Sequence, residues 1–310
     1  MSRIHEVIES EGRNAALEML GSSPAFDAAA HMMSIEDDSI GVTYSGFALT
    51  SLPHRGLPDD QSWEKRATHV KLLIEPGQLP NHNGTYTKFG VPYGAQARLI
   101  LIYLQTQAKK QQSAEIELGR SMYDWLTRMG VSIGGKTYKL VRDQANRISA
   151  CRLTFSWNQG ERVGFQHDSI IKSGLFLPED ANPNQSTLWE DRVILSDTFY
   201  KELVDHAVPI SEEAIKMINN NSMSIDIYIW LAYRLHALSR KQLITWKALD
   251  AQFGGNYARL RDFRKRFKSA LELSLAVYRD AHVDVLDEGV ILHPSRPPIP
   301  ERSVHFIAAR

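Results

Sequence analysis

One order of segments occurs twice along this chain, 120–130 residues apart, and any fold has to accommodate both copies. In the first, Ala95–Lys110 carries Ala97, Leu99, Ile100, Leu101, Ile102, Leu104 and Ala108, apolar nearly all round, as a buried helix requires. Ser121–Met129 follows with Met122, Trp125, Leu126 and Met129 at helical spacing, and Thr137–Arg152 places Leu140, Val141, Gln144, Ile148 and Cys151 on one stripe. The alternating run Leu153–Trp157, the polar turn Asn158–Glu161 and the return over Val163–Phe165 predict a hairpin. In the second copy the three helices fall at Ile227–Leu238, Trp246–Phe253 and Asn256–Tyr278. Leu231 and Tyr233 stand where Leu101 and Tyr103 stood, Gly254-Gly255 repeats the Gly134-Gly135 turn, and Val283–Leu286 with Val290–Leu292 makes the hairpin. Three helices and a hairpin are the pattern of a winged helix-turn-helix. The expected fold class is therefore α+β and mainly helical: tandem winged-helix domains with a short N-terminal extension.

The expected division is a 1–90 extension of helices and short strands, a first winged-helix domain over 91–178, an acidic connector with a helix over 179–220, a second winged-helix domain over 221–295, and a proline-containing tail over 296–310. In the extension, helices are expected at Ile4–Leu20 and Pro24–Met33 and extended pieces at Gly41–Leu49 and Ala67–Ile74. Charge follows this division. The chain has 36 basic and 36 acidic side chains, yet residues 91–175 carry net +6 and 221–279 net +7, against −5, −6 and −2 for 1–90, 176–220 and 280–310. Two local positive surfaces can therefore exist on a neutral protein.

Each third helix lies in a basic block and has the two faces that groove reading needs, one packed and one presenting donors. At about 100° per residue, Leu260, Phe263, Phe267 and Leu271 share one narrow stripe. Opposite lie Ala258, Arg261, Asp262 and Lys265, flanked by Arg259, Arg266 and Lys268. Arg261, Asp262 and Lys265 are assigned to base edges, Ala258 to a thymine methyl, and the three flanking cations to phosphates. In the first copy Lys139, Arg142, Asp143 and Asn146 turn outward, with Arg147 and Arg152 at the flanks and Arg162 on the hairpin. That face is read either as a second DNA contact or as a partner or dimer contact.

Other chemistry finds less support. Gly130–Thr137 satisfies the phosphate-loop pattern G-x-x-x-x-G-K-[ST], but helical spacing precedes it where a nucleotide site needs a strand. The expected role is a turn into a helix, whose free amides, with Lys136, hold a DNA phosphate. A P-loop ATPase and a winged-helix transcription regulator remain the alternative readings. The eleven histidines include no pair one residue apart and no helical zinc-protease spacing, so no metal is assigned. Tyr123, Tyr200 and Tyr228 are expected to pack, Cys151 is expected in the core, and no catalytic residue or cofactor is assigned. A single cysteine excludes an internal disulfide framework, no run of apolar residues reaches membrane-helix length, and Glu6, Glu9, Glu11 and Glu18 argue against a secretory signal. A cytoplasmic, non-enzymatic protein is expected.

The text GVPYGAQARLI beginning at Gly90 and running on through Gln107, then Glu117–Gly130, then Tyr138–Phe155 with RDQANRISACRLTF, resembles the RepA-type replication initiators of bacterial plasmids. The similarity runs from about Ser51 to Leu292 and is dense over 90–155. The resemblance implies a bacterial, DNA-associated protein that binds double-stranded DNA at the direct repeats of a plasmid origin. It further implies help in opening the duplex and assembly of the host initiator and helicase. Related initiators use tandem winged-helix domains, the C-terminal one dominant in recognition and the N-terminal one often in homodimerisation. The neutral total charge departs from the basic character common among them.

Overall fold

The computed structural model describes residues 3–35, 39–66, 70–81, 83–117, 120–132, 134–159, 162–174, 192–255 and 257–300. The chain divides into two compact units, one formed by residues 1–41 together with 208–310, the other by 42–207. The first unit is thus discontinuous, and the second is inserted within it. The 1–90 segment that reads as one extension contributes to both.

The first unit begins with α1 (Arg3–Leu20) and α2 (Pro24–Ser34), after which β1 (Ile40–Tyr44) leads into the second unit. Gly12, at φ 78°, breaks the helical path of α1. The start of α2 follows from its sequence: Ser23 Oγ accepts the Phe26 N–H at 3.1 Å and Pro24 supplies a preset φ where no donor is needed.

The second unit contains α3 (Ser45–Leu49), β2 (Trp63–Arg66), β3 (Val70–Glu75), β4 (Gly77–Pro80), β5 (Tyr86–Phe89), α4 (Gly94–Gln111), β6 (Glu115–Glu117), α5 (Arg120–Arg128) and α6 (Gly135–Ala150). It continues with β7 (Arg152–Gln159), β8 (Arg162–Ser169), β9 (Ile171–Gly174), β10 (Arg192–Leu195) and α7 (Asp197–Asp205). The α4 helix is buried almost all round, as its composition predicts, and packs against α5, α6 and α7. Its polar residues are satisfied locally. The buried Arg98 donates to the Leu52 and Gly94 carbonyls at 2.8 and 2.7 Å, Gln105 Oε1 accepts the Tyr44 N–H, and Thr106 Oγ1 accepts the Val42 N–H. Tyr103 meets Trp125 of α5 at 5.5 Å between ring centroids.

Returning to the first unit, the chain forms β11 (Ala207–Ser211), α8 (Glu212–Met217), α9 (Ser222–Arg234), a 3-10 turn over Leu235–Ala237, β12 (Gln242–Thr245), α10 (Trp246–Phe253), α11 (Leu260–Ala276), β13 (Val283–Val285) and β14 (Gly289–Leu292). Side chains cap the starts of α9 and α10: Asn221 accepts the Ser224 N–H and Thr245 the Ala248 N–H. Helices α9 and α11 cross closely at serines, Ser224 Oγ donating to the Ala270 carbonyl and Ser274 Oγ to the Ser224 carbonyl. The α2 helix packs on α1, α8 and α11. His5 of α1 hydrogen-bonds the Ala276 carbonyl at 3.0 Å, satisfying a backbone group in the last turn of α11.

Strand pairing aligns the two copies in a way the hydrophobic pattern did not reveal. In the second copy a strand that precedes the middle helix joins the hairpin, giving the order β12-β14-β13. In the first copy the equivalent order is β6-β10-β9. The hairpin expected at Leu153–Phe165 does form, as β7–β8, but in the separate sheet β2-β3-β7-β8. It therefore does not occupy the place of Val283–Leu292, and Arg162 lies on the edge strand of another sheet. The cause is upstream: Leu72 and Ile74 of β3 are buried and pair across from Phe155 and Leu153, claiming β7 for a different layer.

Candidate nucleic-acid interface

Helix α11 carries the densest cationic face. Phe263 and Phe267 are fully buried and Leu271 nearly so, with Phe267 meeting the rings of Trp246, Phe253 and Phe263 at 5.8, 5.6 and 5.5 Å. Leu260, at the first turn of the same stripe, is 37% exposed, because the helix begins there instead of at Asn256. Ala258, Arg259, Arg261, Lys265, Arg266 and Lys268 are exposed, and Asp262 is half-buried.

The charges are not independent. Arg259 Nε lies 2.9 Å from Asp262 Oδ2, and Arg261 Nε lies 3.8 Å from Oδ1 of the same carboxylate. Asp262 thus sits in the first helical turn, where the helix dipole favours an anion, and is bracketed by two guanidinium groups. The sequence assigns Asp262 to a base edge; in the folded chain its oxygens face Arg259 and Arg261. Arg264, which that reading omitted, lies with Lys268 over the buried Trp246 ring, each 5.6 Å from its centroid. Only the position of Trp246 at the start of α10 reveals this, and the i, i+4 spacing of Arg264 and Lys268 was the available signal. Exposed Arg240, Lys241 and Lys247 lie just before β12 and on α10, also unassigned from sequence. The β13–β14 hairpin is of opposite sign, with Asp284, Asp287 and Glu288 exposed.

Helix α6 is built on the same plan with fewer free cations. Val141, Gln144, Ala145 and Ile148 are buried; Lys136 and Lys139 are exposed; Arg142 and Asn146 are half-buried. Arg147 departs from the sequence reading. Its side chain is 12% exposed, its Nε donates to Asp143 Oδ2 at 2.8 Å, its Nη1 makes a 2.9 Å ion-pair contact with Asp59, and its guanidinium lies over the Tyr93 ring. Burial works against its charge, but the two carboxylates more than compensate and raise its pKa above the ordinary arginine value. The guanidinium thus joins α6 to Asp59 and Tyr93 within its own unit, and little of it faces solvent. Arg152 is exposed at the start of β7; the side chain of Arg162 lies outside the described set.

The phosphate-loop pattern is resolved by its surroundings. Residues 120–128 before it are helical, Gly130 at φ 75° turns the chain, and Gly134 caps α6. A nucleotide loop leaves a strand, so the strand-to-helix geometry of a P-loop is not present at Gly130–Thr137. Lys136 lies exposed in the first turn of α6. Cys151 is fully buried and its thiol is pushed up to about 12 by desolvation. Tyr228 is buried, its hydroxyl accepting the Ser211 N–H at 3.0 Å, and Tyr200 is half-buried. Tyr123, expected to pack, is 43% exposed on the outer face of α5. His282, Asp284 and His293, unassigned from sequence, are brought together on the second hairpin.

The chain is similar to two solved structures. The chain is similar to domains 2 and 3 of RctB, as a selenomethionine derivative, with a TM-score of 0.53 at 13% identity, covering 88% of this chain and 99% of that one. A second structure of RctB domains 2–3 gives a TM-score of 0.47 at 14% identity, over 79% and 93% of the two chains. The likeness to the first shows a shared fold of mixed helix and strand. The sequence matches the family described as plasmid encoded RepA protein over residues 91–248, just over half of the chain, and the chain belongs to that family. No curated protein matches it. No helix among the described residues is long and apolar enough to cross a membrane.

Proposed function

We propose that this protein initiates plasmid replication by binding repeated duplex sites at the origin through α11, without enzymatic chemistry of its own. The observation that carries this reading is the geometry of α11: Phe263, Phe267 and Leu271 buried on one side, Arg261, Lys265, Arg266 and Lys268 exposed on the other. Membership of the plasmid RepA family supports replication as the process served. Each copy of the repeated order is read as a winged helix, with α11 and α6 as the groove-facing helices. On this reading Arg261 and Lys265 address base edges and Arg259, Arg266 and Lys268 hold phosphates. Lys136 and Lys139 offer a weaker second contact, unless α6 serves a homodimer. The assembled protein helps open the duplex and recruits the host initiator and helicase, in the cytoplasm.

The test is binding of the purified full chain to duplexes carrying the direct repeats of its own replicon, against scrambled duplexes, across a salt series. Affinity is expected to fall steeply as salt rises. Arg261→Ala is expected to erode discrimination at one base pair by about 1–3 kcal/mol while leaving scrambled-duplex binding nearly intact. Equal affinity for both duplexes in the wild type would end the reading.

A further inference from the structure

The geometry points to a binding site for a divalent transition-metal ion of the zinc class at the base of the β13–β14 hairpin, formed by His282, Asp284 and His293. The site follows from strand pairing. Val283 pairs with Leu292 and Asp284 with Ile291, and the His293 N–H donates to the His282 carbonyl at 3.1 Å, so the two histidines face each other just beyond the ladder. Side chains alternate along a strand, which puts His282 and Asp284 on one face, with His293 across from them. Sequence spacing alone hides this, because the second histidine returns on the opposite strand.

One donor atom from each of the three residues lies within 4.8 Å of the others. His293 Nε2 is 2.7 Å from Asp284 Oδ2, and His282 Nε2 is 3.9 Å from Oδ1 of the same carboxylate. Donors around a tetrahedral ion with bonds of about 2.0–2.1 Å are separated by about 3.3 Å, so a small shift of the exposed carboxylate and of His282 is enough to set one oxygen at that spacing from both rings. The imidazoles stack at 4.1 Å with 14° between their planes. Both imidazoles bind the ion through Nε2, and the proton shared between His293 Nε2 and Asp284 leaves as the ion enters. Two imidazole nitrogens and one carboxylate oxygen favour zinc, cobalt, nickel or copper over magnesium or calcium. Water from the open side completes the shell. Such an ion links the two strands of the hairpin and brings positive charge to a segment where Asp284, Asp287 and Glu288 are exposed.

The test uses the full chain, stripped with a chelator and dialysed, then titrated with Co2+ alone and followed by its visible d–d absorption, with Zn2+ added afterwards. One equivalent of Co2+ is expected to give a band that Zn2+ abolishes. His282→Ala and His293→Gln are each expected to weaken binding about tenfold or more, and Asp284→Asn to weaken it as well. His167→Ala, an exposed histidine on a different strand, is expected to leave the titration unchanged. Circular dichroism of each variant confirms that it is folded. A wild-type chain that gives no band, or a folded His282→Ala/His293→Gln double variant that keeps it, overturns the site.

Discussion

Helices α6 and α11 occupy the same place in a repeated order of elements, yet they treat their arginines differently. On α11 Arg261 and Arg266 are exposed, and the apolar stripe beneath includes Phe263 and Phe267, whose rings meet tilted at 5.5 Å. On α6 the stripe is aliphatic, and Arg147 is turned back to Asp143, Asp59 and Tyr93. An arginine on the polar face of an amphipathic helix is therefore no guide to its role until the neighbouring carboxylates are known. On the proposed function, the difference gives the recognition role to α11 and a larger structural share to α6.

The comparison can be broken most severely at the aromatic layer. Phe267→Ala is expected to destabilise the first unit by about 3–5 kcal/mol in a denaturant titration, since it removes a ring touching three others. Reversing charge with Arg259→Glu and Arg266→Glu is expected to weaken binding to every duplex by at least about tenfold. It should also flatten the log–log salt slope by about two, because two phosphate contacts are lost. Arg147→Ala sharpens the contrast. It is expected to lower stability by about 1–3 kcal/mol, leaving Asp143 and Asp59 without their shared cation, and to change duplex affinity little. A large affinity loss with unchanged stability would place Arg147 among the DNA contacts after all. The smallest effect is on pH. Burial, chiefly, lowers the pKa of His5, so the folded unit takes up this proton only at lower pH than the unfolded chain, which does so near pH 6.5. Stability is then lost as pH falls below that value, and His5→Asn is expected to reduce the loss in melting curves recorded from pH 7 to 5.

Periodicity made most helices legible, because it reports which face is buried: α4, α10 and the anchors of α11 lie where the apolar spacing puts them. The short strands β6 and β12 escaped notice, being three and four residues long and defined by partners far along the chain. The same long-range pairing misled the assignment of the first hairpin, since nothing within residues 153–165 announces that Leu72 and Ile74 will pair with it. At the candidate interface, exposure of Arg261, Lys265, Arg266 and Lys268 was readable from the helical wheel. The capture of Arg147 by Asp59 was not, for that carboxylate lies 88 positions upstream. Nor was the meeting of His282 and His293, which depends on hairpin register.

The discontinuity of the first unit sets an order on its assembly. During synthesis, residues 42–207 emerge as a complete unit while α1 and α2 still lack α11, the helix against which α2 packs. The face of α2 that packs on α11 stays uncovered until more than two hundred further residues have been translated, so the first unit closes only after the second has been made in full.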